Sequence, residues 1–79
     1  MKAIRIYPVR HYPDGDGGHF TDECPAKDAD AYGVYEVNGH LSGHLFDAAT
    51  PADAAAAGRL LAELYGVPLE DAHNLGEAP

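Results

Sequence analysis

The stretch YGVYEVNGHLSGHLF, residues 32–46, decides the fold. Asn38-Gly39 divides it into two alternating runs. That pair suits a two-residue type I′ turn, because both central positions need positive φ. The turn predicts an antiparallel hairpin with Val37 opposite His40, Glu36 opposite Leu41, Tyr35 opposite Ser42 and Val34 opposite Gly43. In that register Tyr32, Val34, Leu41 and Leu45 line a core face. Tyr35, Val37, His40, Ser42, His44 and Phe46 line a mixed face that can stay exposed.

Downstream, Thr50 is a good N-cap, Pro51 suits the first helical position and Asp53 complements the positive helix N-terminus. Ala54, Ala57, Leu61 and Leu64 recur at helical spacing, flanked by Leu60 and Tyr65, and Gly66 supplies the stop. The prediction is a helix of about fifteen residues laid on the sheet by an alanine-rich stripe. PLEDAHNL has room for one further turn before the polar tail GEAP.

Upstream, KAIRIYPV (residues 2–9) alternates, with Ile4 and Ile6 directed to the core and Arg5, Tyr7 and Val9 to the other side. Pro8 donates no ladder hydrogen bond, so this strand is expected at an edge or to end there. Residues 11–31, HYPDGDGGHFTDECPAKDADA, hold six acids against one lysine, with two prolines and three glycines. They read as a long surface loop with Phe20 as its apolar anchor, in a short strand of its own. The whole chain, residues 1–79, is thus expected to be a single α+β domain: a small antiparallel sheet of three or four strands with one α-helix packed on one face. Its expected core is Ile4, Ile6, Val34, Leu41, Leu45, Ala57, Leu61 and Leu64.

A chain of 79 residues buries only about 60% of the surface its unfolded form exposes, which leaves little room for a deep substrate cleft. Its formal net charge is −8, unevenly placed. Lys2, Arg5 and Arg10 fall in the first ten residues, and the remainder holds all 13 acids with only Lys27 and Arg59, a net of 2 − 13 = −11. Such a field repels nucleic acid and anionic membranes and attracts basic protein surfaces. The single cysteine, Cys24, excludes an intramolecular disulfide. No apolar run reaches the length of a signal peptide or a membrane span. The expectation is a cytoplasmic protein.

Metal and catalytic chemistry are poorly supplied. Counted from Asp14, an EF-hand loop would need Asp or Asn at its fifth place, Gly at its sixth and Glu at its twelfth. The chain has Gly18, His19 and Pro25 there. His40 and His44 lie about 13 Å apart along a strand, too far to share one zinc, so a site would need His19 or Cys24 brought in from the loop. Ser42 lacks a nucleophile elbow, Cys24 lacks a supporting motif, and no phosphate-cradling glycine loop is present. No cofactor, no metal site and no enzyme activity are expected. What remains is charge: Asp14, Asp16, Asp22, Glu23, Asp28 and Asp30 crowd one segment, with Tyr32 and Tyr35 beside it. Carboxylates with aromatics suit arginine-rich surfaces, where guanidinium groups pair with acids and stack on rings.

The hairpin leading into a capped alanine-rich helix, YGVYEVNGHLSGHLFDAATPADAAAAG, resembles the small acidic anti-CRISPR proteins of phages and other mobile elements. That resemblance implies a non-enzymatic inhibitor acting in a bacterial host cell. It would bind a basic, nucleic-acid-binding protein or ribonucleoprotein complex, such as a type I CRISPR surveillance complex. It would block nucleic-acid access, whether by mimicking DNA or by preventing nuclease recruitment. Two alternatives stand beside it: a homodimeric interaction module joined through an exposed strand or sheet face, and a small metal-binding module using His and Cys or the acidic segment.

Overall fold

The computed structural model describes residues 2–13 and 15–77, with His19 and Phe20 described by their backbone alone. The fold is α+β. Strands β1 (Lys2–Pro13), β2 (His19–Glu23), β3 (Ala31–Asn38) and β4 (Leu41–Ala48) precede helix α1 (Pro51–Tyr65) and a two-residue strand β5 (Leu69–Glu70). The sheet runs β2-β1-β3-β4 with antiparallel neighbours, and β5 adds to β1 in parallel.

Helix α1 follows its local chemistry at both ends. The Thr50 side chain accepts the Asp53 N–H at 3.1 Å, and Pro51 opens the helix. Gly66 takes the left-handed conformation at φ 66°; its N–H reaches the Glu63 carbonyl and the Val67 N–H reaches that of Ala62. This is a Schellman stop, and it satisfies carbonyls that would otherwise be left unpaired.

The face that α1 buries differs from the expected stripe. Ala54, Ala55, Gly58 and Ala62 are buried, whereas Ala57 is only half-buried and Leu64 is 72% exposed. Two overlapping stripes exist at helical spacing, and the smaller one wins because it lets the helix approach the sheet closely. A Cβ at Gly58 would lie 2.9 Å from both Ile6 Cγ2 and Leu69 Cδ1. The helix-side core is therefore Ile4, Ile6, Val34, Ala48, the small residues of α1, and Leu75, with Leu61 packed against it. Leu41 and Leu45 lie outside it.

Pro8 lies inside a central strand, not at an end or an edge. Its carbonyl accepts the Cys24 N–H at 3.1 Å, on the side of β1 away from β3. A strand residue directs N–H and C=O to the same side, so the missing donor falls on that side too. There β5 pairs with Ile4–Arg5 and β2 begins only at Val9, so Pro8 falls between the two ladders. The ladder to β3 is untouched.

The hairpin forms in a different register. Asn38 pairs with Leu41, so Gly39-His40 is the loop, and Gly39 alone of these residues has positive φ. Val37 consequently faces Ser42, Glu36 faces Gly43 and Tyr35 faces His44. A bulge then admits Leu45 as an extra residue, and Val34 faces Phe46 while Tyr32 faces Ala48. The bulge reverses the side on which the rest of β4 points. Phe46 moves to the helix side, and Leu45 loses its expected core place.

Candidate functional site

The acidic segment is not a long loop. β1 continues to Pro13 and pairs with β2 over Val9–Pro13, while its pairing with β3 ends at Val9 opposite Ala31. Residues 10–13 and 19–22 therefore form a two-stranded ribbon that extends beyond the main sheet. A 3₁₀ turn, Ala26–Asp28, follows at its base. The Asp30 carboxylate accepts the His11 N–H at 3.0 Å, and His11 Nδ1 lies 3.1 Å from Thr21 Oγ1. These contacts tie the ribbon to the start of β3.

Of the residues expected to meet a partner, Asp14 lies outside the described residues. Asp16 is exposed near the tip, and Asp22 is exposed on β2, where its carboxylate accepts the Glu23 N–H at 2.9 Å. Asp28 is exposed in the 3₁₀ turn. Asp22, Asp28 and Asp30 converge electrostatically on the buried Cys24. Burial first, and then these carboxylates, push the thiol above its ordinary pKa, against an opposing effect from Arg10. A thiol held protonated is a poor nucleophile and a poor metal ligand. Among the described residues, no three His, Cys, Asp or Glu side chains gather as a metal-holding group.

Glu23 serves a different purpose. Its Oε2 lies 2.6 Å from His73 Nε2, which joins β2 to the C-terminal segment 50 residues away. That segment is held in turn by Asp71, whose carboxylate accepts the N–H groups of Leu75 and Gly76 at 2.8 and 2.9 Å. The Glu23–His73 contact has no local sequence signal, because it joins residues 50 positions apart, whereas the Asp71 contacts span four and five positions.

The structure does not bring Tyr32 and Tyr35 to the acidic ribbon. Tyr32 packs half-buried against the helix-side core, and Tyr35 is only 8% exposed on the opposite face. Tyr12 lies on the ribbon, with the Arg10 guanidinium 5.7 Å from its ring centroid. Arg10 stands opposite Asp22 in the ladder, so this face of the ribbon mixes one cation with its acids.

Tyr35 belongs to a second cluster that the sequence did not disclose. Its ring stacks on Tyr7 at 4.5 Å between centroids, 8° from parallel, and meets His44 at 5.1 Å. His44 Nε2 lies 2.9 Å from Asp47 Oδ1. Burial is the main cause raising both tyrosine pKa values, and the hydrogen bond donated by the Tyr35 hydroxyl to Tyr7 holds the Tyr35 proton more firmly. Both phenols are therefore neutral across the physiological range. A group whose folded pKa is raised contributes stability in full below its unfolded pKa and loses it as pH rises toward the folded value. The fold should accordingly weaken above about pH 10, the ordinary tyrosine pKa. The tyrosinate absorbance contributed by Tyr7 and Tyr35, obtained by difference from Tyr7→Phe and Tyr35→Phe variants, should appear together with the loss of circular dichroism. Ionisation of Tyr7 and Tyr35 near pH 10 with ellipticity intact would contradict this.

Comparison with known proteins adds no relative: no family model matches the chain, and no match was found among curated proteins or solved structures.

Proposed function

We propose that this chain is a non-enzymatic binding protein whose acidic ribbon engages a basic, nucleic-acid-binding protein. The observation that supports this reading is the position of Asp16, Asp22 and Asp28. All are exposed, on a ribbon and 3₁₀ turn that project from the sheet. Arginines and lysines that would hold phosphates pair with these carboxylates instead. In its most specific form the reading is inhibition of a type I CRISPR surveillance complex inside a bacterial host cell, by blocking its access to DNA.

Affinity capture from a bacterial extract tests the reading, with purified surveillance complex as a defined second probe. Asp16→Asn, Asp22→Asn and Asp28→Asn combined should weaken capture by roughly tenfold or more and flatten its salt dependence, since each lost charge removes a screened attraction. Asp30 and Glu23 are left intact because they hold the arm together. Equal affinity and an equal salt slope for the variant would overturn the acidic-arm mechanism. Capture of another basic protein, with no effect on DNA binding by the surveillance complex, would overturn only the CRISPR form.

A further inference from the structure

Tyr7 and Tyr35 stack with their ring centroids 4.5 Å apart, close to the spacing of neighbouring strands. The Tyr35 ring lies across Gly33 of β3, the residue opposite Tyr7. One side of the Tyr7 ring is therefore covered from β3, and the other side looks toward the outer edge of β1. Tyr35 is closed in further by His44 and is 8% exposed, whereas Tyr7 is half-buried, so the surface this pair shows belongs to Tyr7. On the outer edge of β1, β5 pairs with Ile4 and Arg5, and β2 begins at Val9. Glu70 stands opposite Arg5 and Glu23 opposite Val9, and Arg5, Tyr7 and Val9 share one face of the strand. The two carboxylates thus flank the outward side of the Tyr7 ring. Glu23 meets His73 through Oε2 and Glu70 meets Arg5 through Oε1, with side chains 52% and 38% exposed. A carboxylate has about four acceptor sites, so each retains capacity for a further donor.

We infer that Tyr7 completes the partner-binding surface: an arginine of the basic partner stacks on the outward side of its ring and donates to Glu23 and Glu70. This rests on the reading above that the partner is basic. Charge favours it. Glu23, Asp22 and Glu70 against Arg5 give −3 + 1 = −2 beside the ring, counted with neutral histidines as in the chain total of −8. The same charges are felt at the phenol. Burial is the first cause raising the Tyr7 pKa, and Glu23 and Asp22 add to it against Arg5. The chain's own arginines do not fill the place. Arg5 is drawn to Glu70 at 2.8 and 2.6 Å, Arg10 lies beside Tyr12, and Arg59 lies against Gly76. Rigidity favours it too, because Tyr35 backs the ring at 8° from parallel and little side-chain freedom is lost on binding. Arginine suits the place better than lysine. A planar guanidinium stacks on an aromatic face while its edge donates to carboxylates on either hand. Glu23 ends β2 where the arm leaves the sheet, so Tyr7 stands at the root of the arm.

Capped hexa-arginine and hexalysine peptides serve as probes of the full chain. The wild type should bind hexa-arginine more tightly than hexalysine at equal salt, and hexa-arginine should shift the Tyr7 ring protons in NMR spectra. Tyr7→Phe should keep this preference, since the ring face remains. Tyr7→Leu should weaken hexa-arginine binding by about threefold to tenfold and remove the preference. The ring shift is read on the wild type, so it decides the matter even if Tyr7→Leu unfolds. Tyr7 ring protons that stay in place at saturating hexa-arginine, or a folded Tyr7→Leu variant that keeps the preference, would overturn the inference. Asp16→Asn, Asp22→Asn and Asp28→Asn combined should weaken both peptides and leave the arginine preference intact. Wild-type affinity of that combined variant, with the preference present, would overturn the acidic arm and uphold Tyr7. Salt-sensitive binding of both peptides with no preference would uphold the arm and overturn Tyr7.

Discussion

Ile6→Ala should lower the melting temperature by more than about 10 °C. Ile6 is fully buried at the centre of β1, opposite Val34 and beneath Gly58 of α1. Truncating a buried isoleucine removes its transfer free energy and leaves a cavity, together worth about 2–5 kcal/mol. A domain this small has only about 4–12 kcal/mol in total, and each kcal/mol moves its melting point by about 4–8 °C. Collapse of the site is resisted from both sides, because the helix already touches the sheet through glycine and alanine and cannot move closer. Calorimetry of the purified variant gives the result directly. A loss below about 1 kcal/mol would mean that the helix does not rest on Ile6 as described.

Gly33→Val should be the most damaging change on the open face of the sheet. The ring of Tyr35 lies across Gly33, and a Cβ there would collide with its Cε1. Tyr35 cannot swing away freely, since it is stacked on Tyr7 and meets His44. Overpacking costs about 1–3 kcal/mol, and loss of the aromatic pair adds about 1 kcal/mol. Valine's better strand propensity offsets at most about 1 kcal/mol, so the net loss should be near 2 kcal/mol. Near-ultraviolet circular dichroism should lose its tyrosine signal in step. Tyr35→Leu in the Gly33→Val background should recover part of the stability, because the obstructed ring is gone. No recovery would place the damage in the backbone rather than in the tyrosine.

Much of the candidate site was legible as composition and little of it as shape. The acids at 16, 22, 23, 28 and 30 are plain in the sequence, but their division of labour is not. Asp30 and Glu23 hold the arm through His11 and His73, whereas Asp16, Asp22 and Asp28 present charge. The short strand expected around Phe20 is present as β2, but its length and its pairing with β1 were hidden because the segment is polar and contains acids that disfavour strands. It gains its order from the extension of β1 past Pro8. Tyr35 looked available on an exposed face because the cross-strand neighbour that buries it, Tyr7, lies 28 positions earlier.

What the sequence alone determined are the features written in contiguous residues. Thr50, Pro51 and Gly66 set the helix ends, Asn38-Gly39 placed a hairpin within one residue of its turn, and the uneven acids defined the character of the surface. Each depends on hydrogen bonds or sterics within a few residues, so neighbours suffice to specify it. The tertiary structure decided which helical stripe faces the sheet, how Pro8 fits a central strand, and where the bulge turns Phe46. Those outcomes depend on how closely distant segments can approach. Gly58 over Ile6, the interval between β5 and β2 beside Pro8, and the extra residue Leu45 opposite the Val34–Tyr35 step exist only once the strands have paired.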